Sequence, residues 1–296
     1  MRITAILMLL AAWALTARAQ ERPDSAAMAA LERRAEAGDP EAMNYLGYLL
    51  LSGETAHGES ADGLIWLVRA ASAGSLKAAS NLGWLYMEGE LVAQDYAEAA
   101  RWLQIAADGG QPVARSLLGD LYLEGRGVER DSLMAADLYR KAFDTGLTDA
   151  GRKLFALEEP RYALMDAPEL VEKGLYFYRR GVASEGVRLF YLAAEQGSTD
   201  ALALLGDAYT RAMGVPYDYE LSLKYYVEAA AGGNAPAQFV VAELLDIFPD
   251  TFKGRDEWAH LPDDPAYWYE AAAAAGITDA AEATNRLLGQ KNLVQN

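Results

Sequence analysis

The sequence predicts an all-α fold, a solenoid of about six antiparallel helical hairpins, and three observations support this prediction. A glycine followed four residues later by an alanine recurs along the chain, at Gly38/Ala42, Gly74/Ala78, Gly110/Ala114, Gly146/Ala150, Gly197/Ala201, Gly233/Ala237 and Gly276/Ala280. The first four of these glycines are spaced by 36 residues, and Gly197 and Gly233 repeat that interval. Between them, apolar residues recur with a period near 3.6, as on one face of a helix. A fixed period of this kind indicates stacked units that bury one continuous core.

Residues 114–146 predict the two helices of one hairpin. The first half places small and apolar residues on one helical face, which predicts helix A from Ala114, Leu118, Gly119 and Tyr122. The glycines in residues 125–128 favour left-handed backbone and interrupt this pattern, and Asp131 follows as the predicted N-cap. The second half predicts helix B from Ala135, Leu138, Ala142 and Phe143, and Gly146 suits its left-handed C-terminal cap.

Other units repeat this pattern, including a glycine inside helix A that needs a packing explanation. Glycine inside a helix costs about 0.5–1 kcal/mol relative to alanine, so we expect helix B to approach closely there. These glycines are Gly47, Gly83, Gly119 and Gly206. In helix B an aromatic residue precedes an Ala-Ala pair, and we expect these side chains in the core: Trp66, Trp102, Tyr225 and Trp268. Both sets are assigned to packing, so function must lie at other positions.

One interval departs from the period near residues 150–180. Gly146 and Gly197 are 51 residues apart, and Pro160 and Pro168 interrupt the helical pattern between them. Residues 169–179 and 184–196 still have the patterns of a helix A and a helix B. We therefore expect an irregular unit with an extra helix or a bent linker.

A second interval, from Gly233 to Gly276, is 43 residues long, and residues 249–265 carry its surplus as a predicted long hairpin loop. The predicted organisation is a signal peptide at 1–19, a leader and capping helix at 20–37, the solenoid at 38–289 and a polar tail at 290–296. The last helix suits a terminal cap on the solenoid.

Residues 1–19 have the pattern of a secretory signal peptide. Arg2 precedes an apolar run that ends at Leu15, and Ala17-Arg18-Ala19 has the small-x-small pattern that signal peptidase accepts. We therefore expect export and cleavage before Gln20. The apolar run of about thirteen residues is short against the roughly 20 that span a bilayer, so an uncleaved anchor is the weaker alternative.

The chain is acidic and has no cysteine. Its formal net charge of −17 counts Arg2 and Arg18, so removal of the signal peptide takes the charge to −19. Such a charge makes nucleic acid and anionic lipid unfavourable partners and favours basic ones. Without disulfides, the exported chain must be stabilised by its core alone.

No motif for catalysis, cofactor binding or metal binding stands in the sequence. The chain has two histidines, His57 and His260, and no cysteine, HExxH or GxSxG, which argues against a zinc site and a Cys–His dyad. The glycines of residues 125–128 join two helices and lack the strand and the lysine of a phosphate-binding loop. Carboxylates are abundant, but the sequence selects no pair at the separation that glycoside hydrolysis needs. We therefore predict a non-enzymatic protein without cofactor or metal.

Residues 114–135 have the pattern A-x-x-x-L-G-x-x-Y-x-x-G-x-G-V-x-x-D-x-x-x-A, and residues 78–99 and 201–222 keep most of it. This pattern resembles the Sel-one-like repeat, a subclass of the tetratricopeptide superfamily, and the resemblance covers most of residues 38–289. It implies a right-handed solenoid in which helix A lines a concave groove. It also implies an exported bacterial protein that binds other proteins.

Helical phase separates the packing face of helix A from the face that the resemblance places in the groove. Residues two before the leucine of the pattern, two after it and five after it point away from the core. The candidate partner-binding residues are Asn44, Tyr48, Leu51, Ser80, Trp84, Met87, Ser116, Asp120, Leu123, Asp207, Thr210, Phe239, Glu243 and Asp246. Apolar groups next to acids suit a peptide with hydrophobic and basic side chains. The alternative is that Tyr48, Trp84 and Met87 pad the superhelix interior against the next unit.

The residues and the resemblance together predict a periplasmic scaffold or regulator that binds a protein or peptide, with an envelope protein as its partner. Some exported relatives are credited with penicillin binding or hydrolysis, so a cell-envelope hydrolase or penicillin-interacting enzyme is the alternative. Those relatives are rich in cysteine, and this chain has none. A secreted, extracellular factor that binds a host protein is a third hypothesis, which the signal peptide permits.

Overall fold

The structure is a computed structural model that describes residues 25–52 and 60–294 of the chain. These residues form fifteen α-helices and one 3₁₀ turn, and no β-strand occurs among them. They group into two compact units, which divide the sequence between Leu147 and Thr148. The predicted all-α fold of helical hairpins is therefore confirmed. The predicted signal peptide, the leader up to residue 24 and His57 lie outside the described residues.

The first unit consists of a leading helix and three antiparallel hairpins. Its helices are α1 (Ser25–Glu36), α2 (Pro40–Leu51), α3 (Ser60–Ser72), α4 (Leu76–Glu88), α5 (Tyr96–Asp108), α6 (Pro112–Glu124) and α7 (Ser132–Asp144). Helix α2 pairs with α3, α4 with α5 and α6 with α7, while α1 packs against α2. The first helix of each hairpin is its helix A and the second is its helix B. One cluster of buried apolar side chains extends from Leu31 to Leu138, as expected for stacked repeats.

The second unit contains an extra helix, three hairpins and a terminal helix. Its elements are α8 (Thr148–Tyr162), α9 (Ala167–Tyr178), α10 (Ala183–Glu195), α11 (Thr199–Arg211), α12 (Tyr219–Ala231), α13 (Ala235–Ile247), the 3₁₀ turn Asp256–Trp258, α14 (Pro265–Ala274) and α15 (Thr278–Val294). Helix α9 pairs with α10, α11 with α12 and α13 with α14, and α15 packs against α14. Helix α8 contacts α10 and supplies the surplus in the first irregular interval. Helix α15 continues to Val294, into the segment predicted as a polar tail.

Prolines mark the connection between α8 and α9. Pro160 lies inside the last turn of α8, which ends at Tyr162; because proline has no backbone N–H, the carbonyl of Ala156 has no helical hydrogen bond from this position. Pro168 lies in the first turn of α9. Backbone N–H groups in a first turn make no hydrogen bond within the helix, so proline removes none there. The helix predicted for residues 169–179 therefore begins slightly earlier, at Ala167.

Caps define the ends of the repeat helices. The Asp131 carboxylate accepts hydrogen bonds from two backbone amides of α7, both at 2.9 Å, which confirms the predicted N-cap. Asp95 and Asp218 cap α5 and α12 with the same side-chain contact. Gly146 has a φ of +101°, so the left-handed end predicted for α7 is confirmed, and the other six junction glycines share a positive φ.

The glycine of helix A is the point at which the two helices of a hairpin meet. A Cβ atom on Gly83 would lie 2.4 Å from Cγ of Leu103 in helix B. A Cβ atom on Gly119 would lie 2.7 Å from the ring of Tyr139. Only glycine leaves room for these side chains, since interiors are close-packed. The predicted close approach is confirmed at both positions and at the corresponding glycines of α2 and α11.

The helix B aromatics predicted for the core fall into two groups. Trp102 and Trp268 are 7% and 2% exposed, so the prediction is confirmed for them. Trp66 and Tyr225 are only partly buried, so the prediction holds in part for Trp66, which packs against the core cluster of the first unit, and is wrong for Tyr225. The guanidinium of Arg69 lies 4.3 Å from the ring centroid of Trp66, and Tyr225 stacks on another tyrosine at 5.8 Å. Neighbours with polar groups, rather than the apolar core alone, cover these two rings.

A second glycine contact joins neighbouring hairpins. Gly127, in the loop between α6 and α7, has a φ of +70°, and a Cβ atom there would lie 2.1 Å from the carbonyl oxygen of Tyr96 at the start of α5. In the second unit, a Cβ atom on Gly214 would lie 2.5 Å from the backbone of Ala183 at the start of α10. The loop of one hairpin thus rests on the backbone of the hairpin before it.

Residues 249–265, predicted as a long hairpin loop, fold against α12 and are called the insertion below. Phe252 and Trp258 are buried in the apolar cluster of the second unit. Arg255 makes a two-pronged ion pair with Glu220 of α12, with N–O distances of 2.7 and 3.0 Å. Its guanidinium also lies 4.8 Å from the ring centroid of Trp258. The surplus residues therefore cover one helix B instead of extending away from it.

Substituting Gly127 tests the contact between hairpins against a matched glycine. Gly74 also has a positive φ, +94°, but a Cβ atom there would have no neighbour within 4 Å. Gly74→Ala should lower the free energy of unfolding by about 1–2 kcal/mol for its left-handed conformation. Gly127→Ala should lower it by about 1–3 kcal/mol more, because its Cβ meets rigid backbone. Urea unfolding measures both, and equal losses would contradict the contact.

Substituting Arg255 tests the attachment of the insertion to α12. Arg255→Gln should speed amide hydrogen exchange in residues 249–263 by about tenfold, because the insertion loses its ion pair. Lys253→Gln is the matched control and should leave this exchange rate unchanged. The hydrogen bond from Arg255 lowers the pKa of Glu220, so the pair is complete at neutral pH. The protection of the insertion against exchange should be lost as the pH falls through the lowered pKa of Glu220, because the protonated carboxyl no longer pairs with Arg255. Equal exchange in both variants would refute the attachment.

Candidate protein-binding groove

The first unit carries its largest candidate side chains along one face of its A helices. Tyr48 of α2 and Trp84 and Met87 of α4 are partly buried and pack against the apolar cluster of this unit. Ser80 of α4 and Leu123 of α6 are partly exposed as well. These side chains therefore contribute to packing and remain accessible to solvent at the same time.

Three other candidates of the first unit serve packing. Asn44 is 5% exposed and accepts a hydrogen bond of 3.1 Å from the side-chain amide of Asn81, which links α2 to α4. Ser116 is 4% exposed. Leu51 covers Gly63 of helix B, where a Cβ atom would lie 2.7 Å from Leu51 Cγ. The expectation of an open face is wrong for Asn44 and Ser116, because small polar side chains on A helices become covered by their neighbours.

Three further candidates make contacts within their own hairpins. The Tyr139 hydroxyl donates a 2.7 Å hydrogen bond to Oδ1 of Asp120. Arg211 Nε lies 2.6 Å from Oδ1 of Asp207, one helical turn away. The Thr210 hydroxyl donates to a carbonyl of its own helix at 2.9 Å and lies 2.6 Å from a serine hydroxyl of α12. These side chains stiffen the hairpins in addition to any role at the surface.

Partly or fully buried tyrosines of the second unit have raised pKa values, and two of them are joined by a hydrogen bond. The hydroxyl oxygens of Tyr191 and Tyr209 lie 2.5 Å apart. Burial, helped by the Tyr191 hydroxyl, raises the pKa of Tyr209 to about 12. Burial and the Asp207 carboxylate raise the pKa of Tyr178 to about 12 as well. These hydroxyls stay protonated at neutral pH, and those of Tyr191 and Tyr209 serve as hydrogen-bond partners for each other.

The last three candidates, Phe239, Glu243 and Asp246, come together in one open groove. This groove lies between α13 and α15 and has a volume of about 470 Å³. The ring centroid of Phe239 lies 5.7 Å from that of Tyr269, which is 2% exposed. The other lining residues are Ile247, Asp279, Glu282, Ala283 and Arg286. The groove therefore combines apolar side chains with a charged rim.

Negative charge dominates the groove. Four of its lining residues are carboxylates, namely Glu243, Asp246, Asp279 and Glu282. Arg286 is the one cation among the lining residues, and its Nη2 atom lies 2.5 Å from Oδ2 of Asp246. Burial, followed by the nearby Asp246 and Glu243 carboxylates, raises the pKa of Tyr269. The groove thus suits a cationic group that is flanked by apolar side chains.

The side of the groove that α15 contributes was not predicted, although the sequence carries a signal for it. Ala280 follows Gly276 at the junction spacing, so α15 has the register of a helix A. Thr284 occupies the leucine position of that register. The positions two before it and two after it are Glu282 and Arg286, and both line the groove. The prediction of a terminal cap left these positions unused.

A second cavity, of about 520 Å³, lies between α12 and the insertion, and exposed His260 is among its lining residues. Its charges are largely paired, since Arg255 binds Glu220 and Lys224 lies 3.8 Å from Glu228.

Within residues 25–52 and 60–294, no cluster of three histidine or carboxylate side chains has the geometry to hold a metal ion. No helix among the residues that the structure describes is long and apolar enough to cross a membrane.

The family model of the Sel1 repeat matches the chain at residues 40–75, 76–111, 112–146, 165–198, 199–234 and 266–277. The first three matches cover the hairpins of the first unit, and the next two cover hairpins of the second. Helices α8, α13 and α15 and the whole insertion lie outside the matched segments. Two of the three helices that line the groove, α13 and α15, therefore lie outside the matched segments, and α14 contributes Tyr269 from within one.

Known proteins resemble the chain over different lengths. Chitin synthase regulatory factor 4 of Schizosaccharomyces pombe is 34% identical over 110 residues, which are 36% of this chain but only 15% of that protein. A protective antigen of uropathogenic Escherichia coli with an SLR fold is 27% identical, with a TM-score of 0.41, over 89% of this chain and 60% of its own. A Sel1 repeat protein from Oxalobacter formigenes is 27% identical, with a TM-score of 0.39, and the match covers 81% of this chain and 89% of that protein. The repeat model spans more than half of the chain, which therefore belongs to the Sel1 repeat family.

Proposed function

We propose that this protein is a non-enzymatic scaffold or regulator, and that the groove between α13 and α15 holds a basic, apolar segment of its protein partner. Sel1 repeat proteins generally mediate protein–protein interaction and are generally non-catalytic. The observation that carries the proposal is the meeting of four carboxylates with apolar side chains in one open groove. An extended or helical peptide segment is the ligand that such a surface fits.

The lining residues divide the work of binding between them. Ile247 is 66% exposed at the end of α13, and Phe239 is partly exposed, so both offer apolar contact to a partner. Apolar anchors supply much of the affinity at an interface, whereas complementary charge selects the partner and speeds association. The net charge of −17 attracts basic partners to the protein as a whole. The groove then selects those that place an apolar side chain beside the cation.

The exposed edges of Tyr48, Trp84 and Met87 provide a second contact surface, on the first unit. These side chains pack against the core of their unit and are still partly exposed. Large amphipathic side chains of this kind are frequent at protein interfaces. Padding of the repeat array and partner contact are therefore compatible roles for the same residues.

We also propose that the protein acts in the periplasm on an envelope protein. The support is the sequence of residues 1–19, with its charged start, apolar run and small-x-small end. An extracellular location is the alternative, since the same signal permits further secretion.

The compartment can be tested through the N-terminus of the protein. The chain isolated from the periplasmic fraction should begin at Gln20, and mass spectrometry of its N-terminal peptide measures this. Ala19→Arg should block cleavage, because signal peptidase requires a small residue there. A wild-type chain that keeps residues 1–19 and stays in the cytoplasmic fraction would contradict the proposal.

The groove can be tested with a defined probe, an end-blocked fluorescent peptide of alternating leucine and arginine. The mature protein should bind this peptide more tightly than a matched peptide of leucine and glutamate, as measured by fluorescence anisotropy. The double variant Glu243→Gln/Glu282→Gln should weaken binding by about tenfold, because two groove carboxylates are lost. Added salt should weaken binding to the wild type more than to this variant.

Specificity of the groove requires a control that changes charge elsewhere in the same unit. Glu195→Gln removes an exposed carboxylate near the end of α10, outside the groove. It should change the affinity by less than about twofold. The single variant Glu243→Gln removes the same charge from the groove. If Glu195→Gln weakens binding as much as Glu243→Gln does, net charge rather than the groove binds the peptide, and the proposal fails.

A further inference from the structure

Arg286 occupies the groove differently from the other lining residues. It projects from α15, and its Nη2 atom lies 2.5 Å from Oδ2 of Asp246 on α13. The two residues are 40 positions apart, so the ion pair spans the groove from one helix to the other. Arg286 is also the one cation among four lining carboxylates. A cation supplied by the chain itself therefore already sits on the acidic rim.

The ion pair is accessible and replaceable. The side chains of Arg286 and Asp246 keep 55% and 27% of their surface exposed. Exposed ion pairs contribute little to stability, because water and salt screen them. Breaking this pair costs the fold little, and a cation from another chain can then compensate the Asp246 carboxylate.

The surroundings of this pair favour a guanidinium group. Tyr269 lines the groove together with Arg286, Asp246 and Glu243. The Tyr269 ring in turn packs edge-to-face against Phe239. A planar cation here can meet a carboxylate and a hydroxyl while apolar rings lie beside it.

We propose that Arg286 is an internal stand-in for the partner's cationic side chain: it pairs with Asp246 in the free protein, and an arginine of the bound segment displaces it from Asp246. This inference rests on the proposed function and adds a specificity-determining residue to it. Arg286 competes for the Asp246 carboxylate with any cation that lacks apolar neighbours of its own. A segment binds when its apolar side chains also contact the region around Phe239 and make up for the lost ion pair.

The test compares the affinity of the leucine–arginine peptide for the wild type and for Arg286→Gln. The variant should bind about three- to tenfold more tightly, because the internal competitor is gone. Arg179→Gln is the matched control, since it removes the same charge at the end of α9, and it should change the affinity by less than about twofold. In an Asp246→Asn background, Arg286→Gln should no longer tighten binding, because the displaced pair no longer exists.

Each outcome separates this inference from the proposed function. Equal tightening by Arg286→Gln and Arg179→Gln would overturn the inference, because net charge would explain both. Weaker binding by Arg286→Gln would overturn it as well, since Arg286 would then help to hold the peptide. If the wild type and Arg286→Gln both fail to bind the peptide, the groove itself is the wrong site. If Arg286→Gln fails to fold, Arg286→Met, which keeps the apolar stem of the side chain and removes its charge, should tighten binding in the same way, and unchanged binding by a folded variant would overturn the inference.

Discussion

The contact between a helix A glycine and a bulky helix B side chain is the constraint on which the hairpins depend. In α4 the missing Cβ of Gly83 makes room for Leu103, and in α6 that of Gly119 makes room for Tyr139. Gly174 of α9 receives a phenylalanine ring of α10 in the same way. The helix B side chain thus varies while the glycine stays. Five of the six hairpins keep this glycine and can bury different side chains without changing how their two helices meet, while α13 has Ala242 at the same position.

This constraint also determines which side chains remain for function. Helix A turns its glycine towards helix B, so the side chains on its other face lie towards neighbouring A helices or solvent. Between α2 and α4 that space is filled by a hydrogen bond from Asn81 to Asn44. Between α13 and α15 it is open, and carboxylates and aromatic rings line it. The same helical register therefore produces a packed seam in one unit and a groove in the other.

The 36-residue spacing of the junction glycines predicted the fold well, because each repeat makes the same packing contacts as the one before it. The caps at Asp131 and Gly146 and the glycine contacts follow from local rules that each repeat obeys. Depth of burial was harder to predict, since helical phase gives the direction of a side chain but not what covers it. Asn44 and Ser116 have the predicted direction but are covered, and Asp120 is held by a tyrosine of its own hairpin. The groove needed both α13 and α15: α13 keeps small apolar residues, Val241 and Ala242, at the leucine and glycine positions, whereas α15 has the polar residues Thr284 and Asn285 there.

Helices α13 and α15, which lie outside the matched repeats, form the two walls of the proposed binding site. The most direct measurement is hydrogen exchange of the mature wild-type protein with and without the leucine–arginine peptide. We expect protection to increase in α13 and in the first turns of α15, while the outward surfaces of α5 and α12 stay unchanged. Protection confined to those helix B surfaces, or absent along the whole chain at saturating peptide, would contradict the claim.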